Sequence, residues 1–260
     1  VYRRPDGLSL EQAAALPIAY LTAYYSLVEL ARIREGEWIL IHAGAGGVGL
    51  AAAQVALARG ARVIATASTP EKYAFLREWG VEHVLPSRSL DFAEGVFQIT
   101  GGRGVDVVLN SLAGDFLDAS LGVLAPFGRF IELGKRDIYA DRRVGLRVFR
   151  NNITYFAVDL AALIEEKPRF AASMLATVME SIATGHWAPL PVQSFPATEP
   201  AQAFQFMAQG RHIGKLVLKF AGMDDVRVLS PCSDSEDSLF RRDATYLLTG
   251  GFGGVGAAVA

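Results

Sequence analysis

The sequence of 260 residues predicts an α/β fold, a doubly wound parallel sheet with helices on both faces. Three observations support this prediction. Segments typical of strands alternate with segments whose apolar residues recur at helical spacing. The predicted strands are almost continuously apolar, as expected when helices cover both faces of a parallel sheet. The first predicted strand also runs through a glycine-rich turn directly into an alanine-rich helix, as at the start of a βαβ unit.

The individual elements follow from apolar periodicity and from the residues that end each segment. Ser9 and Gln12 resemble a capping box, which begins a helix over residues 10–31 that is interrupted at Pro17. Pro70 in the first turn and Gly80 after the last turn bound a helix over residues 70–79. The remaining predicted helices span residues 48–59, 91–100, 116–124, 169–184 and 199–209. The predicted strands span residues 38–42, 62–67, 83–85, 105–109, 128–133, 153–157, 192–195 and 215–220.

The turn after the first strand lies in the run Ile39–Ala51, ILIHAGAGGVGLA, and has the spacing G-x-G-x-x-G. Such glycines let the backbone turn sharply, approach a pyrophosphate closely and pack the helix against the sheet, while the helix N-terminus supplies free N–H groups. Because a strand precedes the glycines and a helix follows them, the pattern predicts a dinucleotide site. Its candidate residues are Gly44, Gly46, Gly47, Val48 and Gly49.

Composition and charge argue against several other kinds of protein. The net charge is −2, with 25 Lys+Arg against 27 Asp+Glu, so no electrostatic signature indicates a nucleic-acid partner or an anionic membrane. No apolar run approaches the roughly 18–20 residues that span a bilayer, and no signal peptide begins the chain. A single cysteine, Cys232, and four dispersed histidines predict neither a disulfide nor a metal site. These features predict a cytoplasmic location.

The character of the sequence changes after Gly222, and both ends indicate a segment of a longer protein. The chain begins at Val1 rather than at a methionine. Acidic residues among serines predict a linker over residues 223–243. Residues 244–260 form a predicted strand followed by a second glycine-rich turn. We therefore expect one domain over residues 1–222, followed by the linker and by the truncated start of another domain.

Three separated motifs carry a resemblance to a known family: VLNSLAG at Val108–Gly114, GRFIELGKRDI at Gly128–Ile138 and HIGKLVL at His212–Leu218. They resemble the enoyl reductase domain of modular polyketide synthases and animal-type fatty acid synthases. That family belongs to the zinc-free quinone-oxidoreductase branch of the medium-chain dehydrogenase/reductase superfamily. The match covers about residues 9–220. It implies a Rossmann-type nucleotide-binding lobe with a hinge helix near residues 9–31, and it implies that the family's N-terminal β-barrel lobe is largely absent.

The coenzyme can be predicted from the tip of the second strand. Enzymes that use NAD usually place Asp or Glu about 20 residues after the glycines to bind the ribose 2′-hydroxyl. Here Ser68, Lys72 and Arg88 supply a hydroxyl and two cations instead, which suit a 2′-phosphate and predict NADPH. Glu71, a carboxylate inside the next helix, argues mildly against NADPH. The alternative is that Lys72 and Arg88 are ordinary surface charges.

The resemblance also implies which residues lie near the nicotinamide. In the family, the loop at residues 110–112 and the strand end at residues 133–134 approach the nicotinamide riboside. A later pair, Ile213 and Gly214, offers backbone groups to the carboxamide, although Gly214 could equally be a glycine that begins a strand. Thr22 in the hinge helix is a similar candidate. Together the implied residues are Thr22, Asn110, Ser111, Leu112, Leu133, Gly134, Ile213 and Gly214.

For the chemistry, the resemblance implies that hydride passes from NADPH to the β-carbon of an enoyl thioester while the α-carbon receives a proton. A positioned acid typically contributes about 10²–10⁴-fold, and a cation near the thioester oxygen lowers the barrier further. The family's proton-donor candidates fall on Lys135, after the ELG strand end, and on Asp159. The alternatives are that Lys135 is a solvated loop lysine and that Asp159 is a helix N-cap. Asp137 is an alternative acid.

Three functional hypotheses follow. The first is a megasynthase reductase domain that acts on enoyl chains tethered through phosphopantetheine to an acyl carrier protein. The run Thr249–Gly256 resembles the phosphate turn of the ketoreductase domain that follows in such synthases, so neighbouring synthase domains are expected partners. The second is a non-catalytic NADPH-binding assembly fragment, and the third is a free-standing quinone oxidoreductase, which the second glycine turn disfavours. An apolar last strand at Leu216–Phe220 is consistent with a homodimer.

Overall fold

The main element of the fold is a six-stranded parallel sheet in the order β3-β2-β1-β4-β5-β6. The computed structural model describes residues 3–220, so the predicted linker at 223–243 and domain start at 244–260 lie outside the described residues. The strands of this sheet are β1 Trp38–Ile41, β2 Arg62–Ala67, β3 His83–Pro86, β4 Val105–Asn110, β5 Leu124–Glu132 and β6 Thr154–Ala157. The doubly wound parallel sheet predicted from the sequence is confirmed.

One helix precedes the first strand, and the others connect the strands or follow the last one of this sheet. They are α1 Leu10–Tyr24, α2 Gly47–Ala58, α3 Pro70–Glu78, α4 Phe92–Ile99, α5 Asp115–Gly122, α6 Arg136–Tyr139, α7 Leu160–Glu166, α8 Pro168–Ala183 and α9 Pro200–Ala208. A π-helical segment at Tyr25–Leu30 extends α1, and a 3₁₀ segment at Leu146–Asn151 precedes β6. The sequence did not predict α6 or the 3₁₀ segment, because each is short and has few apolar residues on a regular period. It anticipated α7 only through the alternative that Asp159 is a helix N-cap.

Two apolar layers cover the sheet, one on each face, because side chains alternate along a strand. In β1, Ile39 and Ile41 are buried in the layer that contains α1 and α2. Between them, Leu40 is buried in the opposite layer, with Phe92 of α4 and Leu117 of α5. This double burial explains why the strands are almost continuously apolar in the sequence.

Helix α1 continues through Pro17, so the interruption predicted there is wrong. Its capping box at Ser9 and Gln12 is present, as predicted. Proline removes one helical hydrogen bond, but Leu16 and Tyr20 on either side are fully buried, and their packing holds the helix together. By length and composition alone the helical segment Leu10–Leu30 could cross a membrane, contrary to the sequence expectation. Half of its most apolar window is buried, and both buried core helices and N-terminal signal sequences pass the same test of length and composition.

The last two strands form a sheet of their own. Strands β7 Val192–Pro196 and β8 Lys215–Lys219 pair in parallel, and helix α9 connects them. The sequence predicts both strands, but apolar periodicity does not say which sheet a strand joins. A single bridge links Gly214, just before β8, to Gly46 at the start of α2. This bridge joins the small sheet to the glycine-rich turn.

The strand order reverses between β1 and β4, which lie side by side at the centre of the sheet. In open α/β sheets, ligands bind beyond the carboxyl ends of the strands at such a switch point. The glycine-rich turn follows β1, and the loops after β4 and β5 begin at the same carboxyl edge of the sheet. The candidate residues for the pyrophosphate, the nicotinamide and the proton donor therefore belong to neighbouring loops.

Candidate active site

The glycine-rich turn approaches its neighbours too closely to accommodate side chains. A Cβ on Gly49 would lie 2.6 Å from the backbone oxygens of both Ala43 and Gly44. A Cβ on Gly44 would lie 2.7 Å from the Cβ of Ala65 in β2. Gly46 is the N-cap of α2 and has extended backbone, so the first N–H groups of the helix have no side-chain cap. The turn therefore has the close packing and the free N–H groups that a pyrophosphate requires.

The Ile213–Gly214 segment lies directly against this turn. The Gly214 backbone N–H donates to Ala45 O at 2.9 Å, and the Lys215 N–H donates to Pro191 O at 2.9 Å. Gly214 has φ +76°, and a Cβ there would collide with the carbonyl oxygen of Pro191. The conformation requires glycine, which a glycine at the start of a strand would also show, so the carboxamide contact of Gly214 stays a prediction.

A cavity of about 240 Å³ opens beside the turn at the tip of β2. The Lys72 Nζ reaches across it to donate to Gly210 O at 2.6 Å. Burial and the neighbouring Arg88 lower the pKa of Lys72. The cavity is lined by Ala43, Ala45, Gly46, Thr66, Ala67, Ser68, Lys72, Ser87, Gly210 and His212. None of these lining residues is acidic, so the cavity is suited to an anion.

His212 is a member of this site that the sequence did not single out. Burial lowers its pKa, and the cations Lys72 and Lys215 lower it further. Its Nδ1 is buried without a hydrogen-bond partner among the described residues. A buried polar atom without a partner is costly, and an added acceptor or donor would satisfy it. The only signal in the sequence was its place directly before Ile213.

The loop after β4 and the end of β5 are held together by a buried carboxylate. Asn110 Nδ2 donates to Glu132 Oε2 at 2.6 Å and to Leu112 O at 2.8 Å. The Gly134 N–H donates to Glu132 Oε1 at 2.5 Å. Asn110 is fully buried and Glu132 is 3% exposed, so the Asn110 side chain shapes its loop rather than facing solvent. Ser111 at the tip of that loop is exposed.

Glu132 is a second residue that the sequence did not single out. Burial raises its pKa to about 7, and the nearby Asp137 contributes in the same direction, whereas the donors Asn110 and Gly134 act against the rise. Its charge also contributes to raising the pKa of Tyr155 to about 12, after burial, which is the larger cause. In the sequence, the available signal was a carboxylate at the end of a strand that is otherwise almost entirely apolar.

Replacing Glu132 with glutamine should change how stability depends on pH. The folded-state pKa of about 7 lies above the ordinary glutamate pKa of 4.5, so the folded state binds more protons between these values. Its contribution to stability is therefore fully present below pH 4.5 and is lost as pH rises through 7. The free energy of unfolding of the wild type should fall relative to the variant by at most about 1.4 kcal/mol per pH unit. Urea denaturation across this range measures the difference, and parallel profiles would contradict the expectation.

Lys135 and Asp159, the two candidate proton donors, are in contact. Lys135 Nζ donates to Asp159 Oδ2 at 3.0 Å and to Val158 O at 2.8 Å. Asp159 is also the N-cap of α7, since its Oδ1 accepts from the Ala162 N–H at 3.0 Å. Both interactions lower the pKa of Asp159, the backbone hydrogen bond more than the lysine. The carboxylate therefore caps a helix and pairs with Lys135 at the same time.

Two other candidates are engaged in local structure. Asp137 Oδ2 accepts from the Gly114 N–H at 2.8 Å, so this carboxylate ties α6 to the loop after β4. The Thr22 hydroxyl donates to Ile18 O at 2.7 Å within α1. The role of Thr22 near a nicotinamide stays a prediction, as do the coenzyme contacts of Ser68, Arg88 and Leu133.

Comparisons with known proteins agree with this geometry. The zinc-binding dehydrogenase family model matches residues 79–218. The solved nucleotide-binding subdomain of the enoylreductase domain of PpsC from Mycobacterium tuberculosis is 44% identical, with a TM-score of 0.63. That match covers 67% of this chain and 97% of that chain. The chain belongs to the enoyl reductase domains of polyketide synthases, within the zinc-binding dehydrogenase family.

Two further matches cover more of this enoyl reductase domain than the PpsC subdomain does. The phthioceranic/hydroxyphthioceranic acid synthase of Mycobacterium tuberculosis is 47% identical over 253 residues, which are 97% of this chain. The chain spans only 12% of the length of that synthase. The structure of mycobacterial Rv1454c complexed with NADPH is 27% identical, with a TM-score of 0.73. It covers 84% of this chain and 67% of that chain.

The family description names zinc, a metal that the described residues do not fit. Within residues 3–220, no three His, Cys, Asp or Glu side chains are grouped so that they could hold a metal ion. His42, in the turn that follows β1, is instead buried between Thr66 and Ser120. Its Nδ1 lies 3.1 Å from the Thr66 hydroxyl oxygen, and its Nε2 lies 2.8 Å from the Ser120 hydroxyl oxygen.

Proposed function

We propose that this chain is the nucleotide-binding part of an NADPH-dependent enoyl-thioester reductase within a polyketide synthase. The observation that carries the proposal is the Lys135–Asp159 pair at the carboxyl edge of the sheet, the same edge as the glycine-rich turn. Enoyl reductase relatives and the NADPH complex of a more distant relative support it. A turn that binds pyrophosphate and a lysine that donates protons are both needed for such a reduction.

The residues at the tip of β2 fit the 2′-phosphate of NADPH. The cavity beside Ser68 and Lys72 is lined by no carboxylate, and Arg88 is close enough to affect the pKa of Lys72. His212 Nδ1 in the same cavity has no partner among the described residues. A dianionic phosphate would relieve the repulsion between these cations and supply acceptors for their N–H groups. Backbone N–H groups of Gly46–Gly49 would hold the pyrophosphate.

Replacing Lys72 with glutamate should weaken NADPH binding at least about tenfold and leave NADH binding within about twofold, since only NADPH carries the extra phosphate. Fluorescence titration of both coenzymes measures the two dissociation constants. Arg77→Glu is the matched control, because Arg77 is exposed in the last turn of the same helix and undergoes the same charge change. Equal losses for NADPH and NADH would mean that Lys72 acts on the fold and not on the phosphate.

When bound, NADPH supplies the hydride that reduces the β-carbon of the enoyl thioester. Lys135 carries three N–H donors, and two of them are taken by Val158 O and Asp159 Oδ2. The third remains for the thioester oxygen or the α-carbon, where it would stabilise developing charge and deliver a proton. Asp159 holds the ammonium in place through this contact. Glu132 fixes the Asn110 loop and the Gly134 strand end, which would border the nicotinamide.

The synthase relatives, of whose length this chain spans 12%, support neighbouring synthase domains as partners of this activity. The substrate would be an enoyl chain tethered through phosphopantetheine to an acyl carrier protein. A ketoreductase domain would follow in the same polypeptide, and the whole protein would be cytoplasmic. A homodimer paired through the last strand belongs to the same proposal.

The experiment adds NADPH and a crotonyl thioester to the full-length protein and follows absorbance at the nicotinamide band. We expect oxidation of NADPH that depends on the thioester. Saturable enhancement of NADPH fluorescence without oxidation would instead favour the non-catalytic, nucleotide-binding alternative. Loss of both signals would overturn the proposal.

A further inference from the structure

The segment between β5 and β6 has a charge unlike that of the rest of the chain. Residues 135–150 contain six basic and two acidic residues, whereas the whole chain has a net charge of −2. Five of the six basic residues are arginines. The segment begins at Lys135, in the candidate active site, and ends just before β6. We call residues 136–150 the basic segment.

The basic segment is fixed to the domain rather than loosely attached. Arg142 Nη2 lies 2.7 Å from Asp118 Oδ2 and 3.7 Å from Asp115 Oδ1, both in α5. Val148 and Phe149 pack against the apolar layer under β5. Such anchors give the exposed side chains of the segment a defined arrangement.

Four arginines of the basic segment take no part in these ion pairs. Each is exposed, and none forms an ion pair with another described residue: Arg136, Arg143, Arg147 and Arg150. Tyr139 and Leu146, which lie between them, are each 80% exposed. Arginine and tyrosine beside apolar side chains are the residues that protein interfaces favour. An acidic protein surface would meet these cations without having to break existing ion pairs.

We infer that the basic segment is the docking surface for the carrier protein that delivers the tethered thioester, and that the carrier meets this segment with an acidic face. This inference rests on the proposed function. Docking there would place the partner beside the edge where Lys135 and Asp159 lie, so a flexible phosphopantetheine arm could enter the cleft. Opposite charges would steer the encounter and set its orientation more than they would add to final affinity.

The test compares two substrates with the full-length protein, whose own carrier is left without phosphopantetheine. One is a crotonyl group on the separately expressed holo carrier protein, and the other is crotonyl N-acetylcysteamine, which has no carrier. Reversing Arg143, Arg147 and Arg150 to glutamate should raise KM for the carrier-borne substrate at least about tenfold. For the small thioester, kcat/KM should stay within about twofold of the wild type. Salt at about 0.5 M should move the wild-type KM towards that of the variant.

The matched control reverses three exposed arginines outside the basic segment to glutamate: Arg34, Arg59 and Arg77. It changes the net charge equally and should leave both substrates unaffected. An unchanged KM for the carrier-borne substrate, or equal losses on both substrates, would overturn the inference. Binding of the wild type, but not of the reversed variant, to phosphatidylglycerol vesicles would assign the segment to a lipid surface and overturn it too. Failure of the proposed function differs, because the wild type would then oxidise NADPH with neither substrate.

Discussion

Replacing Gly49 with alanine is expected to lower the free energy of unfolding by about 1–3 kcal/mol and to weaken NADPH binding at least about tenfold. The added Cβ would lie 2.6 Å from two backbone oxygens, those of Ala43 and Gly44, and 2.7 Å from the Gly44 Cα. Backbone atoms cannot rotate away as a side chain can, so the turn and α2 must separate. The N–H groups at the start of α2 would then move away from the pyrophosphate.

Gly122→Ala is the control for this change. Gly122 is the last residue of α5, and a Cβ there would meet no atom within 4 Å. Alanine should be neutral at this position or stabilise the helix by up to about 1 kcal/mol. Urea denaturation and fluorescence titration with NADPH measure both variants. If Gly49→Ala retained wild-type stability and affinity, the turn would not need the close approach described here.

The second large effect is expected from Lys135→Ala combined with Asp159→Ala in the full-length protein. These are the two side chains that the resemblance implies as proton donors, and Lys135 Nζ lies 3.0 Å from Asp159 Oδ2. Turnover should fall at least about tenfold, since a positioned acid contributes about 10²–10⁴-fold. NADPH affinity should stay within about twofold, because neither side chain lines the cavity at the tip of β2. Steady-state NADPH oxidation and fluorescence titration measure the two quantities.

Asp159→Asn separates the two roles of this carboxylate. Asparagine caps helices about as well as aspartate, so α7 should retain its N-terminus, while the negative charge beside Lys135 disappears. A fall in turnover with unchanged thermal stability would assign the effect to the charge. Unchanged turnover in the double alanine variant would remove both residues from the mechanism.

Much of the fold was predictable because the decisive contacts are local. Thirteen consecutive residues specify the turn from β1 into α2. The predicted bounds of β2, Arg62–Ala67, are those of the structure. Asp159 could be recognised as an N-cap because its partner, Ala162, is three residues away. A short apolar run between turn residues favours a buried strand, and the length and flanking residues that decide it are also local.

The remaining features depend on contacts between distant parts of the chain. Lys72 reaches Gly210, which is 138 residues away, and Glu132 binds Asn110 at a separation of 22 residues. No local pattern encodes which strands become neighbours, so the contact of Lys72 with Gly210 and the pairing of Glu132 with Asn110 could not be foreseen. Pro17 shows the same principle, since tertiary packing outweighs the local preference of proline to end a helix.

The bridge between Gly46 and Gly214 has a consequence for biosynthesis. Proteins fold from the N-terminus as they leave the ribosome, so the first βα unit emerges long before its partner glycine. A nascent or prematurely ended polypeptide would lack one wall of the coenzyme cleft. Ligands stabilise only the state that binds them, so cellular NADPH would selectively protect finished molecules against unfolding and proteolysis.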